Sequence, residues 1–203
     1  MTPPDHCRRW DHHRWVHLRA HLRADMEHYL AASGQEGVRF GAMKRISVFC
    51  RPEIQCLLLH RIAHALHVRG YAWLGRVVAG LNRLMHRVTI TPQSCIGPGL
   101  RLPHPAGAAF HGVAGCGVTL YSRAVCWADG AFLDAPGSPS AGPVLGDRVT
   151  VGGQAAVLGG VVVGDDTVIS PKSIVSADTP GRTLVFAAGH RPTHVSRLEA
   201  VTR

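Results

Sequence analysis

Apolar residues recur with two different periods along this chain, and the change falls near residue 89. In the first region they are spaced three and four apart, which is the pattern of amphipathic helices. The spacing predicts helices over residues 11–30, 53–68 and 71–86. Pro52 suits the first turn of the second helix, and Gly70 ends it.

In the second region an aliphatic residue returns every six positions. The clearest run consists of Leu145, Val151, Val157, Val163, Ile169 and Val175. A weaker copy begins at Ile90 and continues at positions 96, 102, 108, 114 and 120. The fifth position of each unit is mostly small or β-branched. This is a hexapeptide repeat, in which short parallel strands stack into a triangular coil with the aliphatic residue pointing inward.

The sequence therefore predicts a mixed fold with three parts. A basic α-helical domain (1–88) precedes a parallel β-helix (89–186), and a tail (187–203) follows. Residues 127–143 break the six-residue period and are rich in Pro, Gly and Ser, which indicates a protruding loop. The flat sides of such a prism offer no cavity, so we expect function near this loop.

Charge separates the two regions as clearly as the period does. Residues 1–88 hold 14 Lys and Arg against 6 Asp and Glu, a balance of +8, which leaves +1 of the total +9 for the remainder. A basic helical face is either simply solvated or attracts an acidic protein partner. We expect no nucleic-acid binding, since no reading helix, stacking platform or zinc module is evident.

Composition limits the class of protein further. The chain has no run of eighteen apolar residues and no apolar leader after Met1, so we expect no membrane span and a cytoplasmic location. Its cysteines are scattered without a C-x-x-C pair (Cys7, Cys50, Cys56, Cys95, Cys116 and Cys126). In a reducing compartment that pattern favours free thiols over disulfides or a zinc site.

The order of motifs resembles the serine O-acetyltransferase family. Four segments carry the resemblance: PEIQCLLLHRIAHALHVRG, ITPQSCIGPGLRLPHPAG, VGGQAAVLGGVVVGDDTVISPKSIV and FAAGHRPTHV. Together they span roughly residues 50 to 195. The resemblance implies a left-handed β-helix, a homotrimer, and acetyl-CoA bound between adjacent subunits for transfer to the hydroxyl of serine.

The same resemblance places the general base at His104. An imidazole titrates near neutrality, so it can take the proton of a hydroxyl and later return it to the CoA sulfur. Substrate contacts are expected from His111, Asp129 and Asp134, while those to the cofactor are expected at Gly130, Gly153, Ala155, Lys172 and Arg191. No metal is expected, although the first helix carries histidines at i, i+4 spacing, such as His13 and His17.

Several charged positions of the family are replaced in this chain. Thr89 and Pro103 stand where carboxylates would orient the histidine and hold the substrate amine, and Ala141 and Gly142 replace an Arg-His pair. The resemblance predicts serine or a serine-like compound as the acceptor, and the replaced charges weaken the prediction of free serine itself. Two alternatives remain: transfer to a sugar or specialised hydroxy metabolite, with a carrier protein as donor, and a non-catalytic trimeric partner that docks through residues 193–203.

Overall fold

A computed structural model describes residues 15–32, 34, 50–128, 142–186 and 194–197. Its helices are α1 (Trp15–Ala32), α2 (Pro52–Val68) and α3 (Ala72–His86). The predictions for the second and third helices are confirmed to within one residue. The prediction for the first began earlier, at Asp11, which lies outside the described residues.

Helix α2 begins and ends for reasons that are visible in the sequence. Pro52 occupies the first turn after an extended Arg51, and Glu53 places a negative charge at the positive end of the helix dipole. Gly70 follows the helix at φ +90°, a left-handed conformation that glycine adopts without steric cost. Gly75 of α3 then lets α3 approach α2 closely, because a Cβ there would lie 2.8 Å from the Ala63 carbonyl oxygen.

The rest of the described chain is a left-handed parallel β-helix of very short strands. The strands are β1 (Thr89–Ile90), β2 (Cys95–Ile96), β3 (Ala109–Phe110), β4 (Val113–Ala114), β5 (Thr119–Leu120), β6 (Val125–Trp127), β7 (Val144–Leu145), β8 (Thr150–Val151), β9 (Ala156–Leu158), β10 (Val162–Val163), β11 (Val168–Ile169), β12 (Ile174–Val175), β13 (Thr183–Phe186) and β14 (His194–Arg197). All pairs are parallel except β13 with β14.

These strands form the three faces of a prism. Sheet 1 contains β1, β3, β6, β9 and β12; sheet 2 contains β2, β4, β7 and β10; sheet 3 contains β5, β8, β11, β13 and β14. The chain passes from sheet 1 to sheet 2 to sheet 3 in each coil. Inward aliphatic residues stack along each face, and those of the clear repeat are all buried, as the pattern predicts.

The prediction for the weaker copy of the repeat is wrong at one position, Ala108. The stack of sheet 1 runs through Phe110, which pairs with Ile90 and Cys126, and not through Ala108. Two residues are added between Leu102 and Phe110, a step of eight, and the next step to Ala114 is four. The coil therefore returns to register after one displaced face.

Within the described residues, no helix has both the length and the apolar character needed to span a lipid bilayer.

Candidate functional site

Two edges of the prism carry the residues that the sequence singles out. The edge between sheets 3 and 1 is called the His104 edge; its described turns contain residues 103–107, 121–123, 152–154 and 170–172. The edge between sheets 1 and 2 is called the His111 edge; it contains residues 91–94, 111–112, the start and end of the 127–143 segment, and 159–161. Within one chain, His104 and His111 therefore lie on different edges.

His104 occupies the turn that the eight-residue step enlarges. It is exposed and lies between Pro103 and Pro105, with a left-handed φ of +53°. Regular turns place the left-handed residue three positions after the inward aliphatic residue, as at Arg123 after Leu120, whereas His104 comes two positions after Leu102. The additional residues thus displace the imidazole from the usual turn position. Its ring forms no hydrogen bond with a described residue.

Three further expected or charged residues stack on the His104 edge. The Lys172 N–H donates to the Gly153 carbonyl (3.0 Å), and the Arg123 N–H donates to the Ala106 carbonyl (3.3 Å). Arg123 and Lys172 are exposed, and Gly153 is half-buried. The chain therefore places His104, Gly153 and two cationic side chains along one line of turns.

Ala155 follows this edge but belongs to the core. Its side chain is completely buried, its N–H donates to the Gly152 carbonyl, and its carbonyl accepts from Val125. Ala155 therefore offers no exposed atom to a ligand on the surface of this chain.

The His111 edge holds a small polar and aromatic network. His111 Nδ1 lies 2.8 Å from Thr91 Oγ1, which is in turn 2.8 Å from Ser94 Oγ. The His111 ring lies against buried Trp127, with ring centroids 5.3 Å apart. This arrangement fixes the imidazole beside the start of the predicted loop.

Thr91 and Trp127 were not predicted as site residues, although the sequence contains a signal for them. Thr91, His111 and Trp127 each follow the inward residue of sheet 1 by one position, after Ile90, Phe110 and Cys126. When Ala108 is taken as the inward residue, Thr91, His111 and Trp127 no longer share a repeat position. A register corrected to Phe110 would have grouped the three side chains.

The remaining expected residues lie outside the described part of the chain. They are Asp129, Gly130 and Asp134 of the loop and Arg191 of the tail, together with Ala141. Gly142 is described and is tightly packed, since a Cβ there would lie 2.0 Å from the His111 carbonyl oxygen. It therefore offers no side chain to a ligand.

The buried Cys126 thiol does not provide an alternative nucleophile. Burial raises the pKa of the Cys126 thiol to about 12, so this group stays protonated at neutral pH. The described residues contain no cluster of three or more His, Cys, Asp or Glu side chains suited to a metal ion.

Helices followed by a left-handed coil with an irregular, histidine-bearing turn define a hexapeptide-repeat protein, and comparison with known proteins identifies its family. The chain matches no family model. A serine acetyltransferase of Helicobacter pylori is 37% identical over 139 residues, covering 67% of this chain and 78% of that protein. The chain belongs to the serine acetyltransferase family.

Solved structures agree on the fold. The Brucella abortus serine acetyltransferase in complex with coenzyme A has a TM-score of 0.76 at 20% identity, covering 89% of this chain and 68% of that one. The soybean enzyme complexed with serine has a TM-score of 0.75 at 21% identity, covering 88% and 69%. At these identities the likeness establishes the architecture.

Proposed function

We propose that this protein transfers an acetyl group from acetyl-CoA to the hydroxyl of serine or a serine-like compound. Family membership supports the reaction class. The observation that supports an active site at His104 is the enlarged turn. This turn presents His104 at the surface between two prolines, while neighbouring turns remain regular. The exposed imidazole is accessible to both an acceptor and a donor.

His104 acts as the general base in this proposal. Its ring takes the hydroxyl proton as the acceptor oxygen attacks the thioester carbonyl. The tetrahedral intermediate then collapses, the carbon–sulfur bond breaks, and the proton passes to the departing CoA sulfur. General-base assistance of this kind contributes roughly 10² to 10⁴ in rate.

Acetyl-CoA fits the residues of the His104 edge. The Gly153 N–H forms no backbone hydrogen bond within the described residues, so it is free to donate to an amide or carbonyl of the CoA arm. A Cβ at Gly153 would approach Ser122 only to 3.5 Å, so the surface beside it is open. Exposed Lys172 and Arg123 supply positive charge for phosphate groups. Arg191 and Gly130 remain expected contacts.

The site requires a second copy of the chain if both histidine edges contribute to it. His104 and the His111 network lie on different edges of one prism, so a neighbouring subunit must bring its His111 edge to the His104 edge. We therefore propose a homotrimer in which His111, Asp129 and Asp134 of one subunit contact the acceptor held by His104 of the next. The side chain at position 111 would then help select the acceptor.

Helix α3 provides independent support for self-association. Its buried face consists of the small or polar residues Gly75, Asn82 and His86. Five of its large apolar residues face solvent: Trp73 is 66% exposed and Leu84 81%, with Val77, Leu81 and Met85 beside them. Contiguous apolar surface of this kind on a helix marks an interface. A trimer that buries it would stabilise the composite site.

The remaining organisation follows the same proposal. We assign residues 1–88 as the helical domain, 89–186 as the coil with its loop at 127–143, and 187–203 as the tail. Five described cysteines are free, which fits a reducing compartment, and we place the protein in the cytoplasm. An acidic protein partner at the basic helices belongs to the proposal as well.

The second candidate function is transfer to a different hydroxyl acceptor. The replacement of the charged residues that would hold free serine favours it. Thr89, Pro103 and Gly142 carry no charge for the amino and carboxyl groups of free serine. A sugar or another hydroxy metabolite needs no such charges.

A thiol-release assay tests both candidates. Purified protein is expected to release CoA from acetyl-CoA with serine, homoserine or a sugar, and His104→Ala should lower turnover by about 10² or more. Arg148→Ala is the matched control, since Arg148 is another exposed residue with left-handed φ (+56°) but lies on the third edge. Equal turnover by wild type and His104→Ala would exclude His104 from the mechanism.

A further inference from the structure

The first coil of the β-helix has a neighbouring coil on one side only. In the middle coils, backbone groups of the turns pair with the coils before and after; the Arg148 N–H, for example, donates to the Cys116 carbonyl (2.7 Å). Residues 96–100 of the first coil have no preceding coil to pair with. Buried backbone groups without partners are costly, so another element must replace that coil.

Side chains of α1 and α2 fill this position. His28 Nδ1 of α1 lies within hydrogen-bond distance of the Gly99 carbonyl oxygen, and Asp25 and Arg61 make the other contacts. Asp25 of α1 accepts from the Gly99 N–H (2.9 Å) and the Leu100 N–H (2.8 Å) through Oδ1. Arg61 of α2 donates through Nη1 to the Ile96 carbonyl and through Nη2 to the Gly97 carbonyl (2.7 Å). The pair therefore bonds to donors and acceptors of the same five-residue segment, as a strand would.

The two side chains also hold each other. Arg61 Nε lies 3.0 Å from Asp25 Oδ2, and Arg61 Nη2 lies 2.9 Å from Asp25 Oδ1. Both side chains are 2% exposed. A buried ion pair contributes favourably only when its remaining hydrogen-bonding capacity is satisfied, and here the first coil satisfies it.

Asp25 and Arg61 together cap residues 96–100, and we call the pair the cap. The capped segment leads directly to His104, the proposed base. After Leu100 the chain makes one bridge to sheet 3, where the Arg101 N–H donates to the Val118 carbonyl (2.9 Å), and then enters the enlarged turn at Pro103. That turn contains two prolines and two additional residues, so its position depends on the strand that precedes it. A displacement of residues 96–100 would be carried to His104.

We propose that Asp25 and Arg61 are positioning residues that replace the missing coil and fix the turn bearing His104. The helical region thereby becomes part of the catalytic apparatus without contacting substrate. This inference rests on the proposed function for its kinetic consequence, whereas its structural consequence can be measured independently.

The test compares Asp25→Ala and Arg61→Lys with Asn82→Ala. Asn82 is also buried, but its hydrogen bonds, to the Cys56 carbonyl (2.9 Å) and to His86 (3.0 Å), stay within the helices. All three variants should melt at lower temperature. In the two cap variants kcat should also fall, by about 10- to 100-fold in Asp25→Ala, since small misplacements of a catalytic group cost up to that much. KM for acetyl-CoA should stay close to the wild-type value.

Hydrogen exchange of a peptide covering residues 97–107 is the second readout. It should accelerate in both cap variants and remain unchanged in Asn82→Ala. This measurement needs no activity, so it tests the cap even if wild-type protein fails to release CoA. Arg61→Lys keeps the charge beside Asp25 and serves if Asp25→Ala does not fold.

A charge-swapped variant, Asp25→Arg with Arg61→Asp, separates capping from simple ion pairing. Arginine cannot accept the Gly99 and Leu100 N–H groups, so the swap should not restore kcat. Restored kcat in the swap, or cap variants that lose thermal stability with unchanged kcat and unchanged exchange at 97–107, would overturn the proposal.

Discussion

The first two coils and the last three are built from the same repeat, yet they differ in regularity. From Leu145 to Val175 every inward residue follows the last by six positions, and several turns carry an exposed residue of left-handed φ at a fixed place, such as Gln154 and Lys172. The early coils contain a step of eight and a step of four. The irregular steps are those that carry His104 and His111, the two histidines to which we assign roles in the proposed reaction.

Packing explains why the irregular steps are tolerated. Added residues at an edge of the prism leave the stacked aliphatic core unchanged, because Phe110 still pairs with Ile90 and Cys126. The shortened step that follows must turn tightly, and Gly112 provides that turn: a Cβ there would lie 2.3 Å from the Pro143 carbonyl oxygen. Irregularity at the surface is therefore compensated by close backbone packing.

The largest expected effect is on the free energy of unfolding, and it compares a tightly packed glycine with an open one on the His111 edge. Gly142→Ala forces a Cβ to within 2.0 Å of the His111 carbonyl oxygen, whereas Gly159→Ala, at φ +88°, meets nothing within 4 Å. We expect Gly142→Ala to cost about 3 kcal/mol of unfolding free energy or more, through overpacking. Gly159→Ala should cost about 1–2 kcal/mol from its left-handed backbone. Chemical denaturation measures both; equal losses would refute the packing difference.

A second experiment addresses the exposed face of α3. Val77→Glu with Leu84→Glu places two charges in the proposed interface, where each large apolar side chain contributes about 1–3 kcal/mol when buried. Sedimentation should show dissociation of the trimer, and activity should fall because the composite site is lost. Arg83→Gln, on the flank of the same helix, is the control. An unchanged trimer in the double variant would show that α3 is not the interface.

A third experiment uses pH to compare the helical region with the coil. His60 lies on the buried face of α2. Its ring nitrogens have no hydrogen-bond partner among the described residues. Burial, followed by the charges of Arg61 and His64, holds the pKa of His60 well below its usual value. Unfolded His60 takes a proton as pH falls through about 6.5 while the folded form does not, so stability is lost on acidification.

The contribution of His60 is at most about 1.4 kcal/mol per pH unit below pH 6.5. His60→Leu should therefore flatten the decline of melting temperature between about pH 7 and 5. His104→Ala, which removes an exposed histidine of the coil, is measured beside it for comparison. If His60→Leu kept the wild-type slope, other groups would account for the acid sensitivity.

The sequence allowed the fold to be predicted almost completely, because hexapeptide period and helical period are local properties of the chain. A resemblance predicted His104 as the general base, and this stays a prediction. The sequence could not reveal the eight-residue step, since Ala108 and Phe110 both satisfy an apolar position. The Asp25–Arg61 cap joins residues 36 positions apart and was not predictable from spacing. Thr91 and Trp127 were not predicted because Ala108, and not Phe110, was taken as the inward residue of sheet 1.

The smallest expected effect concerns an ion pair in the regular coils. Arg148 donates to both carboxylate oxygens of Asp166, at 2.6 and 2.7 Å, and this pairing raises the pKa of Arg148 and lowers that of Asp166. The pair is exposed, so water and salt screen it, and ordering two long side chains offsets the attraction. Arg148→Ala should shift the melting temperature by less than about 3 °C, with the difference vanishing in 1 M salt. The buried Asp25–Arg61 pair, with similar geometry, should keep its effect in the same salt, because burial limits screening and its partners are backbone groups of the first coil. A loss of equal size in both pairs would show that burial does not distinguish them.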